Sequence, residues 1–102
     1  MLELRPICEH CERALPPEST EARICSFECT FCRACVENLL ANVCPNCGGG
    51  FVPRPIRPGT NWNDDNFLGK YPPRTERRHR PVDWEHHGRL AERLISVAPE
   101  LR

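Results

Sequence analysis

The run Ile24-Cys25-Ser26-Phe27-Glu28-Cys29-Thr30-Phe31-Cys32-Arg33-Ala34-Cys35 holds four cysteines in twelve residues. Its first nine residues alternate in the manner of a strand or hairpin, so odd and even positions face different sides. Cys29 and Cys32 are three steps apart, which an extended chain covers in about 10 Å. That separation suits ligands of two different ions. Cys32 and Cys35 have the C-x-x-C spacing, in which a tight turn aims two thiolates at one metal ion about 2.3 Å from each.

Two further C-x-x-C pairs flank this run, Cys8/Cys11 before it and Cys44/Cys47 after it, and Cys25/Cys29 has one extra residue. Pro45 stiffens the last turn, and Gly48 suits the positive φ that such a knuckle needs. Four pairs supply eight thiolates, enough for two complete tetrahedral zinc sites with no position left for water or substrate. Filled sites are structural, whereas a catalytic zinc keeps an open position. His10 lies inside the first pair and reads as a solvated knuckle residue rather than a ligand. Four disulfides, a redox C-x-x-C and an iron–sulfur cluster are the competing readings. No βαβ pattern surrounds any pair, and the N-terminus has no basic start followed by an apolar run, so a reducing cytoplasmic setting is expected.

The chain has 102 residues, eleven of them proline, and a formal net charge of zero. The neutral total hides two unlike halves. Residues 1–50 carry all eight cysteines, seven Glu and four Arg, while residues 51–102 carry ten Lys/Arg and seven Asp/Glu. Outside cysteine, the first half offers twelve large apolar side chains, too few to offset the entropy of ordering about 50 residues. Metal must replace the missing core. No apolar run approaches the ~18 residues that span a membrane, so no membrane partner is expected.

The pairs can combine in two ways. Sequential pairing sets Cys8, Cys11, Cys25 and Cys29 on one ion, and makes two lobes with almost no core. Interleaved pairing ties every segment to every other, so one small core is shared. The order Cys8-x-x-Cys11, Cys25, Cys29-Thr30-Phe31-Cys32-x-x-Cys35, Cys44-Pro45-Asn46-Cys47 resembles a RING-type cross-brace finger. The Phe before Cys32 and the C-P-x-C close carry the likeness. The resemblance implies interleaving, with Cys8, Cys11, Cys32 and Cys35 on one Zn²⁺ and Cys25, Cys29, Cys44 and Cys47 on the other. It also implies a hairpin and a short helix after Cys35, where Val36, Leu39 and Leu40 share one side of Val36–Ala41. Glu9-His10, Leu39-Leu40 and Gly48 replace the groups with which RING ligases grip a ubiquitin-conjugating enzyme. The run from Met1–Pro6 through Ile24–Cys29 to Arg54–Pro58 is also similar to a bacterial family of short cysteine-rich proteins of unknown function. That likeness implies a cytosolic zinc protein and supplies no activity.

The expected fold is a small metal-stabilised α+β: a RING-like or treble-clef-like two-zinc module over 1–50, with a flexible joint at Gly48-Gly49-Gly50. A proline-rich, partly irregular linker follows over 51–82, and an amphipathic C-terminal helix over 83–98. Phe51–Pro58 reads as strand edge or polyproline, and Trp62 and Phe67 should pack on the module or on a second chain. Asp83 is the expected N-cap and Pro99 the stop. Trp84, His87, Ala91, Leu94 and Ile95 share one arc of the helix, bordered by Gly88, which would permit close approach. This stripe must bury on the module or in a homodimer through Trp84, Ala91, Leu94 and Ile95. His86 and His87 face different ways.

Three functions follow. The first is a zinc-stabilised protein-interaction module without catalysis of its own, since no nucleophile–base constellation stands out. The second is nucleic-acid binding through Arg74, Arg77, Arg78 and Arg80, with Trp62 or Tyr71 as stacking groups; the plainer reading of these arginines is a basic linker complementing an acidic module. The third is a ubiquitin-ligase-like enzyme, for which no activity is expected.

Overall fold

A computed structural model describes all 102 residues. Strand β1 (Ala22–Ile24) and strand β2 (Thr30–Cys32) form the expected hairpin, with Ala22 opposite Cys32 and Ile24 opposite Thr30. The hairpin turns at Cys25–Cys29: Glu28 adopts φ 64° and its N–H donates to the Cys25 carbonyl at 3.0 Å. Strand β3 (Val52–Pro53) pairs antiparallel with β1, giving the order β2-β1-β3. Pro53 is tolerated there because β3 is an edge.

Helix α1 (Arg33–Cys35) runs on as a wider π-type turn over Val36–Leu40. The Ala41 N–H bonds the Val36 carbonyl, and Ala41 itself is left-handed, which ends the helix. Val36 and Leu40 are buried as expected, but Leu39 is 48% exposed. The i→i+5 closure adds a residue to the turn and carries Leu39 off the core face.

Only 21 residues are buried, and six of them are cysteine. The core joins these cysteines to Leu15, Ala22, Phe31, Val36, Leu40 and Val82, and Phe51 closes edge-to-face on Phe31 at 5.5 Å. This core is small for a chain of 102 residues, in keeping with the shortage of apolar side chains in residues 1–50.

The module does not stop at Gly50. β3 lies beyond the glycines, and Arg54 after it is 4% exposed. Arg54 donates to the carbonyls of Arg5 (2.9 Å), Leu15 (3.1 Å) and Pro16 (3.0 Å), which ties β3 to the N-terminal loop. Gly48 is no flexible joint. It is buried at φ 79°, and a Cβ there would lie 2.9 Å from Leu94 Cδ1. Gly48→Ala should cost about 1–2 kcal/mol through its left-handed φ and loosen the end of the last long helix. Hydrogen exchange at the amides of residues 90–94 is the measurement; unchanged protection there would refute the contact.

The tail folds back on the module as a strap. The N–H groups of Arg74 and Arg80 donate to the carbonyls of Leu4 and Glu9, and Val82 N–H donates to His10 Nδ1 at 3.1 Å. His10 is therefore a docking residue rather than a solvated one. Helix α2 (Trp84–Leu94) is capped by Asp83, whose Oδ1 accepts from the N–H groups of Glu85 and His86. His87 is buried and its Nε2 donates to the Val43 carbonyl at 3.0 Å, while His86 is exposed. Trp84 meets His10 edge-on at 5.0 Å. The helix ends three residues before Val97, because Val97 N–H closes a tight turn on Leu94 and Arg102 binds the carbonyls of Val97, Asn42 and Gly48. A 3-10 turn follows over Pro99–Leu101.

Within the chain nothing lies close to Gly88, which leaves that side of the helix open to approach. Trp62 is 80% exposed and so does not bury on the module, whereas Phe67 is half-buried beside Gly69. No helix is long and apolar enough to cross a membrane.

Candidate metal centres

The first knuckle is a tight loop. Cys8 N–H donates to the Arg13 carbonyl (2.9 Å), Glu12 N–H donates to the Cys8 carbonyl (3.0 Å), and Glu12 turns the chain at φ 65°. The hairpin brings the end of β2 beside this loop. The sulfurs of Cys8, Cys11, Cys32 and Cys35 then lie within 4.8 Å of one another. Two of the separations are Cys8–Cys35 at 3.9 Å and Cys11–Cys32 at 3.7 Å. A tetrahedron with metal–sulfur bonds of about 2.3 Å has edges of about 3.8 Å. The four thiols therefore already stand at the corners that one ion requires.

The second cluster gathers Cys25 from the end of β1 with Cys44 and Cys47 from the last knuckle, again within 4.8 Å. That knuckle is closed by Gly48 N–H on the Cys44 carbonyl and Cys44 N–H on the Gly49 carbonyl, both at 2.8 Å. Backbone N–H groups of Phe27, Asn46 and Gly49 point at the sulfurs of Cys25, Cys44 and Cys47, at 3.3–3.4 Å. Such donors stabilise thiolate over thiol. Cys29 stands outside this tight group. The sulfurs of the first pair thus associate with those of the third, and Cys25 associates with the fourth pair. All eight cysteines are free of disulfides, and Cys11 and Cys47 give each cluster one solvent-exposed sulfur.

Crowding polarises the thiols. A hydrogen bond from Cys44, helped by Asn46, pulls Cys29 down to about 5. Burial pushes Cys25 up to about 11, and burial likewise raises Cys35 and Cys8. Cys44 rises chiefly because it donates to Cys29. A divalent ion would resolve this competition by displacing the shared protons.

Three residues near the clusters carry no local signal of their role. Glu9 is 1% exposed, although its place inside a C-x-x-C loop reads as surface. Asn46 donates to Glu9, and Arg5 pairs with Glu9 at 3.3 Å and with Glu3 at 3.0 Å. Burial raises the Glu9 carboxyl, against the lowering effect of the Thr30 N–H. The basic segment is partly committed as well: Arg74 pairs with Glu3 at 3.1 Å and His79 with Glu12 at 3.2 Å.

The family described as "Protein of unknown function (DUF1272)" matches residues 1–57, which ends just past β3 and Arg54. The chain is also similar to the "Uncharacterized protein R02474" of Rhizobium meliloti (strain 1021), at 53% identity over 81 residues, covering 79% of this chain and 89% of that protein. No solved structure matches.

Proposed function

The chain belongs to the DUF1272 family, and from that premise we propose that it is a structural two-zinc protein acting as a cytoplasmic protein-interaction module, with no catalysis of its own. The observation that carries the metal reading is the sulfur spacing of the first cluster, which fits a single tetrahedral ion. A multi-iron cluster interposes several atoms between its thiolates and so holds them farther apart. Zinc suits all-thiolate, closed sites. In the second site Cys25, Cys44 and Cys47 would hold the ion, with Cys29 as the fourth ligand. The interleaved grouping is that of a RING-like cross-brace. When bound, zinc supplies cross-linking and charge neutralisation, and the chain's own residues do the rest: knuckle N–H groups orient the sulfurs, and the strap covers the first knuckle.

Exposed apolar side chains support the interaction reading, notably Phe27 at the hairpin tip and Ile95 at the C-cap of α2. Docking within the chain takes His87, Leu94 and part of Trp84 for the module and leaves Ile95 and the exposed part of Trp84 for a homodimer or another protein. The nucleic-acid reading has less support: Arg74 and Arg78 line a cleft of only about 70 Å³ that they share with Glu3 and Glu76. The ligase reading has least, since Glu9 points inward where an apolar contact is needed.

Native mass spectrometry of the reduced protein tests the metal assignment. Two zinc ions per chain are expected; iron, or a chain that stays metal-free in the presence of zinc, would overturn it.

A further inference from the structure

The two thiol clusters meet at one buried carboxylate. Glu9 occupies the first C-x-x-C loop, yet its side chain turns away from solvent and toward the second cluster. Its Oε2 accepts from Thr30 N–H at 2.8 Å and from Arg5 Nη1 at 3.3 Å, and its Oε1 accepts from Asn46 Nδ2 at 3.4 Å. The Glu9 N–H donates back to the Thr30 carbonyl at 3.0 Å. Thr30 directly follows Cys29, and Asn46 lies between Cys44 and Cys47. One residue of the first knuckle therefore holds both the segment carrying Cys29 and the last knuckle.

Burying a carboxylate next to thiolates is unfavourable unless it is fully bonded. An apolar side chain would fill the same space without that cost. The arrangement makes sense if the bonds themselves are the use. Cys29 is the one cysteine outside its tight group, and Asn46 bonds Cys44 through its N–H and Glu9 through its side chain. Glu9 thus bonds the residue next to Cys29 in sequence and a residue of the knuckle that carries Cys44 and Cys47.

We infer that Glu9 is a positioning residue that couples the two metal sites: closing the first knuckle on its ion presents Glu9 to Thr30 and Asn46, which sets Cys29 for the second ion. The inference rests on the two-metal reading above. Coupling of this kind is reciprocal, so the second ion also tightens the first. Outer-shell partners of metal ligands are typically worth about 10–100-fold in affinity.

Cobalt(II) titration of the full reduced chain tests this, because tetrahedral thiolate–cobalt absorption reports each equivalent as it binds. The native chain should take two equivalents on one steep curve. Glu9→Ala should keep the first and weaken the second about 10–100-fold, with a shifted ligand-field band for that equivalent. Glu9→Gln, which retains an acceptor for Thr30, should restore part of the loss. Asn46→Ala, at an exposed position, should reproduce the second-site defect, and the double variant should be no worse than Glu9→Ala alone. In a Cys47→Ser background, where only the first cluster is complete, Glu9→Ala should leave cobalt affinity unchanged. Equal weakening of both equivalents, additive losses, or no loss at all would overturn the coupling while leaving the two sites intact. A native chain that binds no cobalt overturns the metal reading itself.

Discussion

Stripping the metal from the reduced protein with a strong chelator should unfold it along its whole length. Each structural zinc contributes roughly 10–16 kcal/mol of apparent folding free energy at neutral pH, against a net stability of about 5–15 kcal/mol for a domain of this size. Losing either ion is enough. With six cysteines among 21 buried residues, no independent apolar core remains to hold the sheet. The loss should not stop at the module. α2 docks through His87 on Val43 and through Leu94 on Gly48, and the strap docks on Glu9 and His10. These anchors are parts of the two knuckles, so the helical signal of α2 should vanish together with the strand signal. Far-ultraviolet circular dichroism during chelation is the measurement. An unchanged spectrum would sink the idea that metal stabilises the fold, and survival of α2 alone would sink its dependence on the knuckles. Acid should produce the same transition. Burial holds the protons of Cys8, Cys25 and Cys35 without metal, with Cys25 pushed up to about 11. Binding must expel those protons, so apparent affinity falls as pH falls.

The parts of this architecture that could be read from the sequence are those whose causes are local. A C-x-x-C turn acts over a few residues, and so the cysteine pairs are legible, whereas spacing alone leaves their grouping open and only the likeness to a cross-brace implies it. The alternation of Ile24–Cys32 anticipated the hairpin, and Asp83 its helix cap. What stayed hidden depends on contacts distant along the chain. Glu9 looks like any polar knuckle residue until Thr30 and Asn46 are placed beside it. Arg54 looks like one arginine of a proline-rich linker until β3 joins the sheet. Leu39 reads as inward on an α-helical turn, and one added residue in that turn puts it outside. The glycines read as a joint because flexibility and close approach leave the same mark on a sequence, and only the position of Leu94 distinguishes them.

Arg54 gives the second large effect, because its role separates a linker from a part of the core. Its guanidinium satisfies three carbonyls of the N-terminal loop, at Arg5, Leu15 and Pro16, and it has no acidic partner. Burial accordingly lowers its affinity for a proton, and its Nε has no hydrogen-bond partner. Two effects of replacing it oppose each other. Removing an unpaired buried charge recovers desolvation energy. Orphaning buried carbonyls costs about 1–3 kcal/mol each. Pro16 is exposed and can turn to water, but Leu15 is 1% exposed and cannot. The carbonyl term should therefore win, by about 2–4 kcal/mol for Arg54→Met, which keeps the apolar stem. Arg54→Ala should lose still more, because it also empties the space beside β1. Urea denaturation of the metal-loaded protein measures both. Arg57→Ala is the control: it too releases two carbonyls, of Tyr71 and Leu2, but at the half-buried edge of the fold, and should cost less. If Arg54→Met matches the native midpoint, the residues beyond Gly50 are a linker after all and β3 is incidental. If it falls as expected, the folded unit runs to Arg54, and the cysteines account for only the part of it that metal can reach.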